Sequence, residues 1–201
     1  MTQTAEGFPR TERASGKVIA LVGSAGALRP VAMVLADLPA DLDAPVLVVL
    51  HLHAGYLSNL AAILGRRTLL PVKQAEAGDR PQPGHVYVAA PDFHLRMAAD
   101  GTLELDGSAP VGWLRPAADV LLLSLAEAFD GGTLAVVLSG TGHDGTAGAA
   151  AVKGAGGTVI AQDEESSEFF GMPGAAVAEG VVDSVLPLGD IPAAVAAFVR
   201  K

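Results

Sequence analysis

No cysteine occurs among the 201 residues. That excludes disulfides, thiolate nucleophiles and cysteine-based metal sites, and it suits the cytoplasmic location expected for this chain. Aromatic residues are scarce, at 4%, so the core cannot be built from large rings. Basic residues are also few, 13 against 22 acidic, for a formal net charge of −9. No stretch clusters Lys and Arg, so a nucleic-acid partner, whose phosphates demand such clusters, is not expected. Long apolar runs are missing as well. Residues 45–50 form one of the longest, which is strand length and far short of a bilayer span. The first 17 residues are polar and carry Glu6, Arg10, Glu12 and Arg13 in place of an apolar secretion segment. No direct membrane insertion is expected.

What remains is half apolar, with 24 Gly and 13 Pro. Ala, Val and Leu must build the core, and tight turns must be frequent. Residues 1–16 read as a disordered lead and 17–201 as one domain. From Lys17 the chain alternates short unbroken apolar runs with longer stretches of helical spacing. Strands are expected at 18–22, 45–50, 72–74, 86–89, 133–138, 158–161 and 181–186. Helices are expected at 27–38, 56–64, from Pro116 to about 129, and at 146–153, 173–179 and 191–199. Residues 94–97 and 102–105 flank Ala99-Asp100-Gly101, a hairpin signal. This pattern predicts an α/β fold: a doubly wound, mostly parallel sheet in a three-layer Rossmann-like arrangement, with an antiparallel hairpin inserted near the middle.

In such a sheet, ligands bind beyond the carboxyl ends of the strands. Three of those ends carry chemistry. Gly23-Ser24-Ala25-Gly26 follows the first strand, His51-Leu52-His53 the second, and Ser139-Gly140-Thr141-Gly142-His143-Asp144-Gly145 the strand at 133–138. Each has a plain structural use: Ser24 as a turn or cap residue, His51 as a core histidine, Asp144 as a cap for the helix after it. Together they supply what a serine hydrolase requires. His51 would take the proton of the Ser24 hydroxyl, and Asp144 would fix the imidazole tautomer and offset its charge. Ala25, Gly26 and Ala27 are expected to open a helix, whose first, unpaired N–H groups would hold an oxyanion. Gly-x-Ser-x-Gly, the elbow of lipase-like hydrolases, is not satisfied, since Val22 stands at its first position.

At these residues the chain resembles the catalytic domain of the CheB family, the chemotaxis protein-glutamate methylesterases, from about Val18 to Val199. The resemblance rests on residues 22–27, on Leu50-His51 and on Ser139–Gly145. It also rests on Pro83-Gly84-His85-Val86-Tyr87-Val88-Ala89, Ala90-Pro91 with His94-Leu95, Arg115-Pro116, and Phe170-Gly171-Met172-Pro173, all in family order. It implies Ser24 as nucleophile, His51 as base and Asp144 as orienting acid. Main-chain groups at Ala25, Gly26, Thr141 and Gly142 would serve the oxyanion and substrate. The implied reaction removes methyl groups from glutamates of a methyl-accepting chemoreceptor and releases methanol, with glutamine deamidation in some members. No cofactor and no metal are implied.

Several positions depart from the family pattern. Val22 and Ala27 add side chains expected near the oxyanion site, and Leu50 replaces a polar residue before the base. His53 stands where proline is common, and Trp113 sits in a loop expected to border the substrate groove. Residues 1–16 are too short to hold a regulatory receiver domain, so constitutive activity or a regulatory partner is expected. These departures keep two alternatives open: a non-catalytic signalling or binding module, and an esterase for another protein or small-molecule ester. His85 and His143 are expected to be exposed, His94 near the cleft rim, and Asp163, Glu164, Glu165 and Glu168 in a solvated loop.

Overall fold

The structure is a computed structural model that describes residues 16–51 and 59–200. The expected lead except Gly16, the first residues of the helix expected at 56–64, and His53 lie outside the described residues.

Among those described, seven strands form one sheet: β1 (Val18–Gly23), β2 (Val46–Leu50), β3 (Val72–Gln74), β4 (Val86–Val88), β7 (Thr133–Val137), β8 (Thr158–Gln162) and β9 (Ser184–Leu186). Their spatial order is β3-β4-β2-β1-β7-β8-β9, and every neighbouring pair is parallel. The expected hairpin is a separate antiparallel pair, β5 (His94–Met97) and β6 (Leu103–Asp106). The helices are α1 (Leu28–Ala36), α2 (Leu60–Gly65), α3 (Ala118–Ala128), α4 (Thr146–Gly154), α5 (Gly171–Ala178) and α6 (Ile191–Arg200).

The composition explains this layering. Strand β1 is buried along its whole length, as a parallel strand covered on both faces must be. Successive side chains point to opposite faces. Val18, Ala20 and Val22 join a core with Leu121, Leu122 and Leu125 of α3, Ala149 and Val152 of α4, and Met172 of α5. Ile19 and Leu21 join a second core with Val31, Val34 and Leu35 of α1, Leu64 of α2, and Ile191 and Val195 of α6. The hairpin closes over the first core, where the Met97 N–H donates to Ser124 Oγ at 2.9 Å. Helices α3 and α4 touch closely because Gly148 has no side chain. A Cβ there would lie 2.5 Å from Leu122 Cβ and 3.2 Å from the Asp119 backbone.

Several bounds differ from expectation by one to three residues, among them two element starts. The helix after Pro116 begins at Ala118. The last strand begins at Ser184, with Val181 and Val182 packed as partly buried residues before it. Strand β1 is the switch point: β2 lies on one side of it and β7 on the other. A crevice forms where connections leave a sheet in opposite directions, so the three expected chemical groups belong to the three central strands.

Candidate active site

The turn after β1 is held from both sides. The Ser24 N–H donates to Ser139 O at 3.0 Å, and the Ala27 N–H donates back to Ser24 O at 3.0 Å. Helix α1 starts only at Leu28, so Ala25 and Gly26 lie in the turn and not in the first helical turn. Among the described residues, no acceptor meets the N–H of Ala25 or of Gly26. Gly26 has φ +75°, and a Cβ there would sit 2.8 Å from Glu168 Cβ and 2.9 Å from Ser139 Oγ. Both the left-handed backbone and the crowding call for glycine.

His51 stands one residue beyond the last pair of the β1–β2 ladder, Gly23 with Leu50. Its N–H donates to Gly23 O at 3.3 Å, which sets His51 beside the Ser24 turn. Its Nε2 meets Asp144 Oδ2 at 2.7 Å. That contact protonates Nε2 and leaves Nδ1 as the basic nitrogen. Asp144 is buried and does cap a helix, but not the one after it. Its Oδ2 accepts the Ala118 N–H at 2.6 Å and its Oδ1 the Asp119 N–H at 3.0 Å, at the start of α3. Burial works against the charge of Asp144. Hydrogen bonds from His51 and from the Asp119 and Ala118 N–H groups outweigh it and hold the carboxyl below its ordinary range. The acid is therefore an anion fixed at three points.

Ser24, Gly26 and His51 line a cavity of about 760 Å³ that opens between α1 and α2. Leu28, Met33, Leu50, Leu60 and Ile63 make most of it apolar, and Arg29, Arg67 and Glu168 add charges. Arg29 and Arg67 have no carboxylate partner among the described residues. Thr141 and Gly142 are not part of this lining. They are exposed and pack at the start of α5, where a Cβ on Gly171 would lie 2.9 Å from Gly142 N and 3.1 Å from Thr141 Cα. Their N–H groups also meet no acceptor among the described residues.

Several expectations need correction. Val22 and Ala27 do not crowd the oxyanion side: their side chains are buried in the two opposite cores. His94 is not at a rim. It is 0% exposed, its Nδ1 accepts the Ala117 N–H at 3.2 Å, and its Nε2 meets Ala109 O at 3.3 Å. It ties the loop after the hairpin to the start of α3, a use hidden in the sequence because its position looks like any strand start. His85 is half-buried, its Nδ1 against Pro83 O at 3.0 Å. His143 is exposed, and Trp113 is 98% exposed. Glu168 is exposed as expected, but it also covers Gly26 at the cavity wall.

Sequence reading missed two buried polar residues. Gln162, the last residue of β8, is fully buried. Its Oε1 accepts the Ser139 N–H at 3.0 Å, and its Nε2 donates to Ser166 O at 2.8 Å. Ser139 Oγ donates to Ala25 O at 3.0 Å and accepts the Phe169 N–H at 3.1 Å. A polar residue at the carboxyl end of an otherwise apolar strand was the available signal for both.

Fold and site together define a doubly wound parallel α/β protein with a hydroxyl, an imidazole and a buried carboxylate gathered at its switch point. Comparison with known proteins narrows this class. The family model described as CheB methylesterase matches residues 19–195, and the chain belongs to that family. It is 39% identical over 198 residues, 98% of its length, to a protein-glutamate methylesterase/protein-glutamine glutaminase of Rhizobium meliloti, of which it covers 56%. It is 42% identical over 181 residues, 89% of its length, to the protein of the same name from Thermotoga maritima, of which it covers 53%. The chain thus spans about half the length of these curated relatives. The crystal structure of the Thermotoga maritima CheB methylesterase catalytic domain matches 92% of this chain and all of that one, with a TM-score of 0.88 and 42% identity.

Proposed function

We propose that this chain is a protein-glutamate methylesterase that also deamidates protein glutamine, working through Ser24, His51 and Asp144. The observation that carries the reading is the 2.7 Å contact of His51 with Asp144, beside Ser24 in one cavity. In the first step Ser24 Oγ attacks the γ-carbonyl carbon of the ester while His51 Nδ1 takes its proton. Asp144 holds the ring and offsets the imidazolium charge. The N–H groups of Ala25 and Gly26, and of Thr141 and Gly142, are the candidate donors to the tetrahedral oxyanion. Collapse breaks the C–O bond, and His51 returns the proton to the departing methoxide as methanol. Water, deprotonated by His51, then attacks the acyl-serine and releases glutamate and free Ser24. With glutamine the leaving group is ammonia.

The partner in this reading is a methyl-accepting chemoreceptor. An open apolar wall with Arg29 and Arg67 fits a protein segment that carries apolar and acidic side chains. The cytoplasmic location expected from the cysteine-free sequence belongs to the same proposal. The test is methanol release from methylated chemoreceptor by wild type and Ser24→Ala. A loss in kcat of at least about a hundredfold is expected, together with labelling of wild type but not Ser24→Ala by a fluorophosphonate. A smaller loss, or no labelling at any pH, overturns the esterase in favour of a binding module.

A further inference from the structure

Ser139 makes three contacts that bear on the nucleophile turn. Its carbonyl accepts the Ser24 N–H at 3.0 Å, and its hydroxyl donates to Ala25 O at 3.0 Å. The hydroxyl has one hydrogen. Because Oγ also accepts the Phe169 N–H at 3.1 Å, that hydrogen is committed to Ala25 O. Ser139 itself cannot drift. It is 0% exposed, and its N–H is held by the buried Gln162 Oε1 at 3.0 Å. Gln162 in turn grips Ser166 O, in the middle of the loop that carries Glu168 to the cavity wall.

The carbonyl of Ala25 and the N–H of Gly26 belong to one peptide unit. In a trans peptide they point to opposite sides. Drawing the carbonyl toward Ser139 turns the Gly26 N–H away from it. Gly26 lines the cavity with Ser24 and His51, and its N–H meets no acceptor among the described residues. A donor hydrogen bond to a peptide oxygen also polarises that peptide and strengthens its N–H as a donor.

We propose that Ser139 is a positioning residue, which orients and polarises the Ala25–Gly26 peptide so that the Gly26 N–H faces the developing oxyanion, with Gln162 as its anchor. The proposal rests on the esterase reading. It acts on a step in which charge grows at one atom, so its effect falls on kcat and not on ground-state binding. Misplacing such a donor by a fraction of an ångström lowers kcat roughly tenfold to a hundredfold.

The experiment measures kcat and KM for nitrophenyl acetate, and the fluorophosphonate labelling rate, for Ser139→Ala, Ser139→Thr, Ser139→Cys and Ser24→Ala, each with a urea midpoint. Ser139→Ala is expected to lose that factor in kcat and in labelling rate while KM stays within about threefold of wild type. Ser139→Thr keeps the hydroxyl and is expected to retain most of kcat. Ser139→Cys has the size of serine but a weak donor, and it is expected to fall with alanine. A folded Ser139→Ala with wild-type kcat overturns the proposal. If alanine does not fold, equal kcat in the threonine and cysteine variants overturns it. An unchanged rate in Ser24→Ala sinks the esterase reading instead, which separates the two failures.

Discussion

Asp144 and Asp119 cap each other's helices. Asp144 Oδ1 accepts the N–H of Asp119 at 3.0 Å, at the start of α3. Asp119 Oδ1 accepts the N–H of Gly148 at 2.8 Å, in the first turn of α4, the helix that follows Asp144. Each carboxylate fills the orphan donors of the other's helix. The proposed acid is thereby locked between two packed helices.

Removing Asp119 should disturb both stability and rate. Asp119→Ala is expected to lower stability by about 1 kcal/mol, the usual cost of losing a cap. By letting the start of α4 shift, it should also lower kcat roughly tenfold. Urea unfolding and nitrophenyl acetate kinetics measure the two. A loss of stability with unchanged kcat would show that the caps do not position Asp144.

Acid stability follows from the same pair. The Asp144 carboxyl is held below its ordinary range because His51 and two N–H groups outweigh its burial. Its contribution is complete above the unfolded value of about 3.9 and is lost as pH falls through the lower native value. Asp119 runs the other way. Burial raises its value, against the hydrogen bond from Gly148 and helped by repulsion from Asp144. The native state therefore takes up that proton first, which adds stability as pH falls. Asp144→Asn should flatten the fall of the urea midpoint below about pH 4, and Asp119→Asn should steepen it just above that pH, where the native carboxyl takes up its proton before the unfolded one. Equal slopes in all three proteins would contradict both assignments.

Gly148→Ala gives a packing test with opposing terms. Alanine favours a helix interior by about 1 kcal/mol over glycine. Here its Cβ would lie 2.5 Å from Leu122 Cβ, on the buried α3–α4 contact. Overpacking of this kind costs about 1–3 kcal/mol, so a net loss of stability is expected by urea titration. A gain would mean that α3 and α4 separate freely.

The cavity charges predict a substrate effect. Arg29→Glu combined with Arg67→Glu should raise KM for methylated receptor roughly tenfold, as expected from two weak exposed ion pairs turned repulsive. Hydrolysis of nitrophenyl acetate, which is too small to reach both, should not change. Equal KM for the receptor would exclude this wall from binding it.

Much of the fold was legible because buried parallel strands leave unbroken apolar runs. Every strand from Val18 to Leu186 was located within a few residues, and the positions of Ser24, His51 and Asp144 followed from strand ends alone. Partners across the sheet were not legible. Nothing near Asp144 in sequence indicates that it caps α3, 26 residues earlier. Gln162 and Ser139 are 23 residues apart and meet only because β7 and β8 are neighbours. The burial of Val22 also depends on which face of β1 it takes. That parity is set by register and not by residue type.

The double duty of Asp144 bears on how sequences of this kind are read. A descendant that no longer performed hydrolysis would still need a carboxylate there, because α3 would otherwise begin with unfilled donors. Its presence is a marker of the scaffold and not of turnover. The Ser24 hydroxyl makes no side-chain hydrogen bond among the described residues, so the architecture does not enforce it. Between a living enzyme and a retired one, the informative letter is the serine.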